Sequence, residues 1–217
     1  MEVTLLSTGI ANVASVRAAF LRLGVSTVAS QDPETCRTAD AVVLPGVGAF
    51  AAGMAALNRT GLGEALKARV QEGRPTLAIC LGLQLLTESS DESPGVPGLG
   101  ILPARTVRLD GAPRLPHFGW NRVETDDASG LAMDGAAYFA HTFCVRPSEE
   151  LEEAGWRVAT SVEGLPFVAA VERGDVLAAQ FHPELSSNYG RDLVASWLDR
   201  ARCSDELADT EGAAPCR

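Results

Sequence analysis

The stretch TLAICLGLQLLTES, residues 76–89, carries the strongest fold signal in the chain. An apolar run of strand length ends at Cys80 and passes directly into a segment of helical composition. Two small residues, Ala78 and Gly82, stand two positions to either side of Cys80. This pattern predicts a tight strand-to-helix turn that pushes the Cys80 side chain out of a sheet.

The sequence before this stretch alternates between strand and helix signals. Short apolar runs predict strands at residues 3–6, 25–29 and 41–44. Apolar residues at helical spacing from Val13 to Leu23 predict a first helix, and a second is expected from about Gly53 to Gln71. Repeated strand–helix units with continuous apolar strands predict an α/β fold with a parallel-core mixed sheet flanked by helices, of the flavodoxin-like kind.

The second half of the chain has a different pattern, which begins after Glu92. A Gly- and Pro-rich loop is followed by short alternating runs at residues 106–110, 120–124, 136–140, 156–162, 167–171 and 176–181. These runs predict mostly antiparallel strands added to the parallel core. A last helix is expected from Asn188 to about Ala201, so we predict one domain over residues 1–202 and a polar, disordered tail over 203–217.

Composition limits the cellular setting and the partners. A net charge of -10 disfavours nucleic acid and anionic membranes, since phosphates would be repelled. No apolar stretch approaches the roughly 20 residues that cross a bilayer. The five cysteines are scattered, without disulfide or zinc spacing: Cys36, Cys80, Cys144, Cys203 and Cys216. We therefore expect a cytoplasmic protein with neither a metal nor an organic cofactor.

Cys80 is the candidate nucleophile. At the start of a helix, the positive end of the helix dipole favours a thiolate, and the free amide N–H of Leu81 can donate to a developing oxyanion. The alternative is a small buried cysteine that merely ends a strand, which is common in proteins. The other four cysteines lack this setting and are expected to be structural or surface residues.

His182 is the best candidate for the base that such a thiol needs. It lies in FHPE, residues 181–184, after an apolar run, and in an extended segment Glu184 would point to the same side and could orient the imidazole. The alternative is a polar turn after a strand. His117 and His141 have no acidic neighbour in sequence and are expected to be structural or interface histidines.

The loop LPGVGAF, residues 44–50, follows the third predicted strand. Ligands of open α/β sheets bind beyond the carboxyl ends of the strands, where Cys80 is also expected. Gly46 and Gly48 permit a positive φ, so a backbone N–H of this loop could face the site. A simple strand-to-helix turn is the alternative, and a phosphate-binding loop is disfavoured because no Lys-Ser/Thr pair follows.

The ordered motifs PGVGAF, CLGLQ and FHPE together resemble the class I (triad) glutamine amidotransferases. The resemblance implies hydrolysis of L-glutamine by a triad of Cys80, His182 and Glu184. It also implies an oxyanion hole from the backbone of Val47, Gly48 and Leu81. The residues that it implies for holding the glutamine substrate are Gln84, Glu88, Thr142 and Phe143.

Within that family, CLGLQLLTESS, PHFGWN and YFAHTF are similar to the glutaminase subunits of imidazole glycerol phosphate synthase. This similarity implies a heterodimer with a (β/α)8-barrel synthase subunit that receives the ammonia, with Asn12, Trp120 and Tyr138 at the partner interface. Core packing is an equal alternative for Trp120 and Tyr138. The chain departs from the family at Ala78, where Gly is usual, and at Leu185, where an interface Lys is common.

Three other functions stay open on sequence grounds. The nearest is another amidotransferase of the same family that serves a different biosynthetic reaction. A cysteine hydrolase that acts on amides without a partner and a regulatory relative without activity are the others.

Overall fold

A computed structural model describes residues 1–9, 12–126 and 129–209, with only the backbone described for 204–209. The strands are β1 Val3–Leu6, β2 Thr27–Ser30, β3 Ala41–Gly46, β4 Thr76–Cys80, β5 Ser89–Ser90, β6 Arg105–Arg108, β7 His117–Val123, β8 Gly135–His141, β9 Phe143–Val145, β10 Arg157–Glu163, β11 Leu165–Arg173 and β12 Val176–Ala179. The helices are α1 Val13–Arg22, α2 Pro33–Thr38, α3 Phe50–Thr60, α4 Leu62–Gln71, α5 Leu81–Leu85, α6 Glu149–Glu153 and α7 Ser187–Asp209.

A seven-stranded sheet with the order β10-β11-β12-β4-β3-β1-β2 forms the centre of the fold. β4 lies between β3 and β12 and is parallel to both, while β11 is antiparallel to both of its neighbours. The predicted parallel-core mixed sheet is therefore confirmed. The arrangement brings the carboxyl ends of β3, β4 and β12 to one edge of the sheet.

Both faces of the sheet are covered, which explains why β4 reads as a continuous apolar run. Leu77 and Ile79 pack into one core cluster together with side chains of α1 and α7. Ala78 points the other way and packs with α3, α4 and α5. Successive side chains of a strand alternate between faces, so a strand buried on both sides needs apolar residues throughout.

The antiparallel additions form three groups. β10, β11 and β12 extend the main sheet, β7 and β8 form a separate hairpin, and β5, β6 and β9 form a small third sheet. The prediction of mostly antiparallel strands is confirmed, with two exceptions: β12 also pairs in parallel with β4, and β6 also pairs in parallel with β5. None of the helices in the described residues is long and apolar enough to span a membrane.

Two predicted helices have other bounds in the structure, and the helix after Cys80 is shorter than its helical composition suggests. The expected helix from Gly53 to Gln71 is two helices, because Gly61 has φ 74° and its left-handed conformation ends α3. α5 has only five residues, because the carbonyls of its last turn accept from the following loop rather than from a further helical turn.

The last helix, α7, continues to Asp209 instead of stopping near Ala201. The first part of the expected tail is thus helical. Residues 210–217, with Cys216, lie outside the described part of the chain, and the domain boundary at 202 stays a prediction.

Candidate active site

Cys80 occupies a strained turn at the end of β4. Its φ of 55° and ψ of -108° form a conformation that residues with a side chain rarely adopt. The turn packs so closely against β3 that a Cβ at Gly82 would clash with the carbonyl oxygen of Leu44. This confirms the predicted strand-to-helix turn and gives the physical reason for a glycine two residues after the cysteine.

The two glycines of the loop after β3 have different roles. Gly48 has φ 94°, as the sequence predicts for a loop that turns its backbone toward the site. Gly46 lacks a positive φ and instead allows a close approach, since a Cβ there would lie 2.9 Å from the Cβ of Leu81. Packing against α5, rather than backbone freedom, explains Gly46.

A cavity of about 330 Å³ opens at this edge of the sheet. Its lining comes from the loop after β3, the β4–α5 turn, the loop after β5, the β7–β8 region with the start of β9, and the segment after β12. The residues are Val47, Gly48, Cys80, Leu81, Gln84, Glu92, Pro116, Phe118, Ala140, His141, Thr142, Phe143 and His182. The structure thus brings together the candidate nucleophile, base, oxyanion-loop residues and most of the candidate substrate-binding residues.

His182 is held by Glu184, but not in the way that the sequence predicts. Nδ1 of His182 lies 2.9 Å from Oε1 of Glu184, so the expected pairing is present. The expected extended segment is wrong, because residues Pro183–Leu185 form a 3₁₀ turn. Pro183 presets the φ of the first position of this turn, and the turn folds the carboxylate back toward the imidazole.

The electrostatics of His182 favour a charged imidazole. Burial by itself lowers its pKa, but hydrogen bonds and charges of Cys80 and Glu184 outweigh burial and raise the pKa to about 10. Because Nδ1 faces the carboxylate, Nε2 is the nitrogen left for Cys80. The arrangement suits a thiolate–imidazolium pair in a buried setting.

The other two histidines are neutral neighbours of the site. Burial lowers the pKa of His141 to about 3, and burial also lowers the pKa of His117, against the charge of Glu163. Both ring nitrogens of His141 are engaged, by Phe143 O at 3.0 Å and by His117 at 3.3 Å. The expected structural role fits both rings, although His141 also lines the cavity.

The predicted substrate-binding set is only partly assembled. Gln84, Thr142 and Phe143 line the cavity, whereas Glu88 is exposed and is not among its lining residues. Glu92 takes a place there, with Oε2 accepting from the backbone N–H of Phe50 at 2.7 Å. Position in the motif suggests Glu88, but the chain turns after α5 and carries Glu88 away.

Some lining residues were missed by sequence reasoning. Pro116, Phe118 and Ala140 belong to the hairpin region, and no local pattern connects them to Cys80. Gln180 was also missed, although a fully buried glutamine in an apolar strand is a signal, because a buried amide needs partners.

The three residues expected at a partner interface lie in different settings. Trp120 is 55% exposed, so core packing does not explain it. Tyr138 is half-buried and meets Trp120 edge to face, with ring centroids 6.2 Å apart. Asn12 caps α1 by accepting from the backbone of Ser15 at 3.4 Å, which is a structural role.

Comparison with known proteins defines the class of this fold and site. Residues 8–198 match the family model for class-I glutamine amidotransferases, and the chain belongs to this family. Two solved structures show the same fold: a glutamine amidotransferase (TM-score 0.72, 24% identity, 93% of this chain and 100% of that one) and PurLQS from Thermotoga maritima (0.69, 14%, 91% and 97%).

Curated relatives carry a more particular name. The chain is 38% identical over 203 residues to imidazole glycerol phosphate synthase subunit HisH of Methanothermobacter thermautotrophicus, covering 92% of this chain and 99% of that protein. HisH of Symbiobacterium thermophilum is 42% identical over 201 residues, covering 90% and 92%. The chloroplastic synthase hisHF of Arabidopsis thaliana is also 42% identical over 201 residues, but the chain spans only 34% of its length.

Proposed function

We propose that the chain is the glutaminase subunit of imidazole glycerol phosphate synthase, which hydrolyses L-glutamine and supplies ammonia to a synthase subunit in histidine biosynthesis. The single observation that carries the proposal is the Cys80–His182–Glu184 arrangement at the cavity, in a chain of this family. The HisH relatives, matched over most of their length, support the particular reaction.

In the proposed first half-reaction, the Cys80 thiolate attacks the carboxamide carbon of glutamine, and a C–S bond forms. The oxyanion accepts from the backbone N–H groups of Leu81 and of the loop at Val47 and Gly48. The imidazolium of His182 then gives its proton to the leaving nitrogen. The C–N bond breaks, ammonia departs, and a γ-glutamyl thioester remains on the sulfur.

In the second half-reaction, the now neutral His182 takes a proton from water as the water attacks the thioester. A C–O bond forms, the C–S bond breaks, and the thiolate–imidazolium pair is restored. The γ-carboxylic acid product gives its remaining proton to solvent and leaves as glutamate. Glu184 orients the imidazole and offsets its charge in both halves. Burial makes that support necessary, because an unpaired buried imidazolium would lose its proton.

The two other buried cysteines, Cys36 and Cys144, do not compete for this role. Burial raises the pKa of the Cys36 and Cys144 thiols to about 11, which keeps both protonated and weakly reactive. Gln84 with the Thr142–Phe143 backbone lines the cavity and is proposed to hold the amino-acid end of glutamine. Glu88 stays a weaker candidate for that task.

The partner proposed for the ammonia is a (β/α)8-barrel synthase subunit in a heterodimer. Large apolar side chains stay exposed near the cavity: Phe118 at 66%, Trp120 at 55% and Val47 at 40%. Exposed apolar side chains beside a site are typical of a docking surface. A cytoplasmic location is part of the proposal, supported by the free thiols of the buried Cys36, Cys80 and Cys144.

The test measures product formation by the chain mixed with a barrel synthase subunit, in the presence of its nucleotide substrate. We expect glutamine to support synthesis with the wild-type chain and not with Cys80→Ala, while added ammonia supports synthesis with both. Retained glutaminase activity in Cys80→Ala would refute the nucleophile. Fast glutaminase turnover by the chain alone, unchanged by the synthase, would favour the partner-independent amide hydrolase.

A further inference from the structure

Gln180 lies between β12 and His182 and is completely buried, although its surroundings in sequence are apolar. Its backbone N–H donates to Ala169 O at 2.8 Å, which continues the sheet by one residue. A buried carboxamide destabilises the fold unless its donor and acceptor find partners. Leucine or valine would fill this position at lower cost, so the amide itself calls for an explanation.

The contacts of Gln180 connect two residues of the site. Its Oε1 accepts from Nε2 of Gln84 at 3.1 Å, and its Nε2 lies 3.7 Å from Sγ of Cys80. Gln84 also donates to the carbonyl oxygen of Phe143 at 2.8 Å. The amide of Gln180 therefore touches the nucleophile at one end and a residue of the proposed substrate site at the other.

One carbonyl fixes the orientation of both amides. A backbone carbonyl can only accept, so the Gln84 atom that faces Phe143 O must be the NH₂ group. That group also faces Gln180, so the Gln180 atom there must be its oxygen. The remaining Gln180 atom, which faces Cys80, is then the NH₂ donor.

A donor at this point has a specific electrostatic use. The sulfur also lies 3.9 Å from the carbonyl oxygen of Ala140, whose negative end disfavours a thiolate. The N–H of Gln180 and the imidazolium of His182 act in the opposite direction. Hydrogen bonds to a charged acceptor are stronger than those to a neutral one, so the donor favours the thiolate over the thiol.

We propose that Gln180 is a positioning residue of the glutaminase reaction: its amide N–H stabilises the Cys80 thiolate, and its amide oxygen holds the Gln84 carboxamide in place. Because both N–H groups of Gln84 are then engaged, the carboxamide of Gln84 presents its oxygen as the free acceptor. The inference rests on the proposed glutaminase function for its role, but not for its test.

The test is the rate of alkylation of Cys80 by iodoacetamide against pH in the full-length chain, followed by peptide mass spectrometry. Gln180→Met keeps the volume and removes both polar groups. Because hydrogen bonds to charged groups are worth more than neutral ones, we expect alkylation at pH 7 to slow about tenfold and the half-maximal rate to move to higher pH. Ser161→Ala is the control, since Ser161 is equally buried and its hydroxyl has no partner.

A second readout separates the two halves of the role. In the complex with the synthase subunit, loss of the Gln84 contact should raise KM for glutamine several-fold in Gln180→Met. A folded variant with an unchanged alkylation profile would overturn the thiolate role, and an unchanged KM would overturn the Gln84 role. Gln180→Leu gives the same readouts if the Met variant does not fold. Alkylation needs neither glutamine nor partner, so a failed synthase assay would leave this result standing.

Discussion

The two ends of β4 differ although the strand has only five residues. At the amino end, the guanidinium of Arg69 is completely buried beside Thr76 and is surrounded by acceptors. These acceptors are the carbonyls of Cys36, Arg37, Ala39, Asp40 and Pro75 and the hydroxyl of Thr76. Burial and the nearby charge of Arg74 lower the pKa of Arg69 to about 10, so it stays charged at neutral pH.

The carboxyl end of the same strand is built in the opposite way. Cys80 has a strained backbone, a cavity opens beside it, and the buried Oε2 of Glu184 makes no hydrogen bond. A strained backbone and an unpaired buried oxygen are thus found at the carboxyl end, whereas the buried guanidinium of Arg69 has acceptors for its donors. The amino end of the strand therefore stabilises the fold, and this stability holds the strained carboxyl end in place.

The largest expected effect is on activity at the carboxyl end. His182→Ala should lower the glutamine-dependent rate about 10³–10⁴-fold, since it removes the proton donor and acceptor. Stability should fall as well, because the variant leaves the buried carboxylate of Glu184 without its imidazole partner, so the rate is compared for folded protein only. Steady-state rates with glutamine and with ammonia, together with urea unfolding, measure this. A near-normal rate would move the base to His141 or His117.

The converse change at the amino end should affect stability and not chemistry. Arg69→Met removes a donor from five carbonyls, of which Ala39 O keeps Arg74 and Pro75 O keeps the N–H of Val42. It should lower the free energy of unfolding by about 3–5 kcal/mol. The glutaminase rate of the folded fraction should stay within about threefold of wild type. Urea unfolding is the measurement, with the exposed Arg59→Met as a control expected to fall within about 0.5 kcal/mol. A large loss of rate in folded Arg69→Met would show that the two ends are coupled.

The site end was more predictable from sequence than the stabilising end. Cys80, Gly82, His182 and Glu184 lie in short motifs where local geometry dictates the residue type. Arg69 looks in sequence like an ordinary charged residue of a helix. Its acceptors come from α2, the segment after it and the start of β4, so only the assembled fold shows that it is buried.

Features that depend on local sequence were predicted, and features that depend on distant contacts were missed. The strands of the parallel core were predicted well, because burial on both faces leaves a continuous apolar run. The break at Gly61 was missed because Gly inside a helical pattern is often tolerated. Glu92 and Gln180 were missed because their roles depend on contacts with residues 42 and 96 positions away, respectively.

A smaller effect is expected in the pH dependence of stability. The pKa of His182 is raised above its ordinary value of 6.5, to about 10. Its contribution to stability is therefore fully present below about pH 6.5 and is lost as the pH rises toward 10. His141 has the opposite sign: its pKa is about 3, so its contribution is lost as the pH falls below 6.5.

Cys80→Ala is the comparison that isolates the pair, because it removes the thiol from the folded and the unfolded chain. Wild type should lose more free energy of unfolding between pH 6.5 and pH 10 than this variant does. Urea unfolding at several pH values measures the difference. Parallel curves for the two proteins would mean that Cys80 does not raise the pKa of His182.

The smallest expected effect tests the middle of β4, at Ala78. Ala78 is buried, and its methyl group packs with the core on the α3–α5 side of the sheet. Ala78→Gly removes that methyl group and adds backbone freedom to the unfolded chain, which should cost about 1 kcal/mol. The glutaminase rate should stay within about twofold, because the close approach that shapes the turn is at Gly82 and not at residue 78.

Gly82→Ala is the contrasting variant: its Cβ would meet the Leu44 carbonyl, so it should lose both stability and activity. If Ala78→Gly instead changed the rate strongly while stability held, the geometry of the nucleophile would depend on the whole strand, and the separation between its two ends would fail.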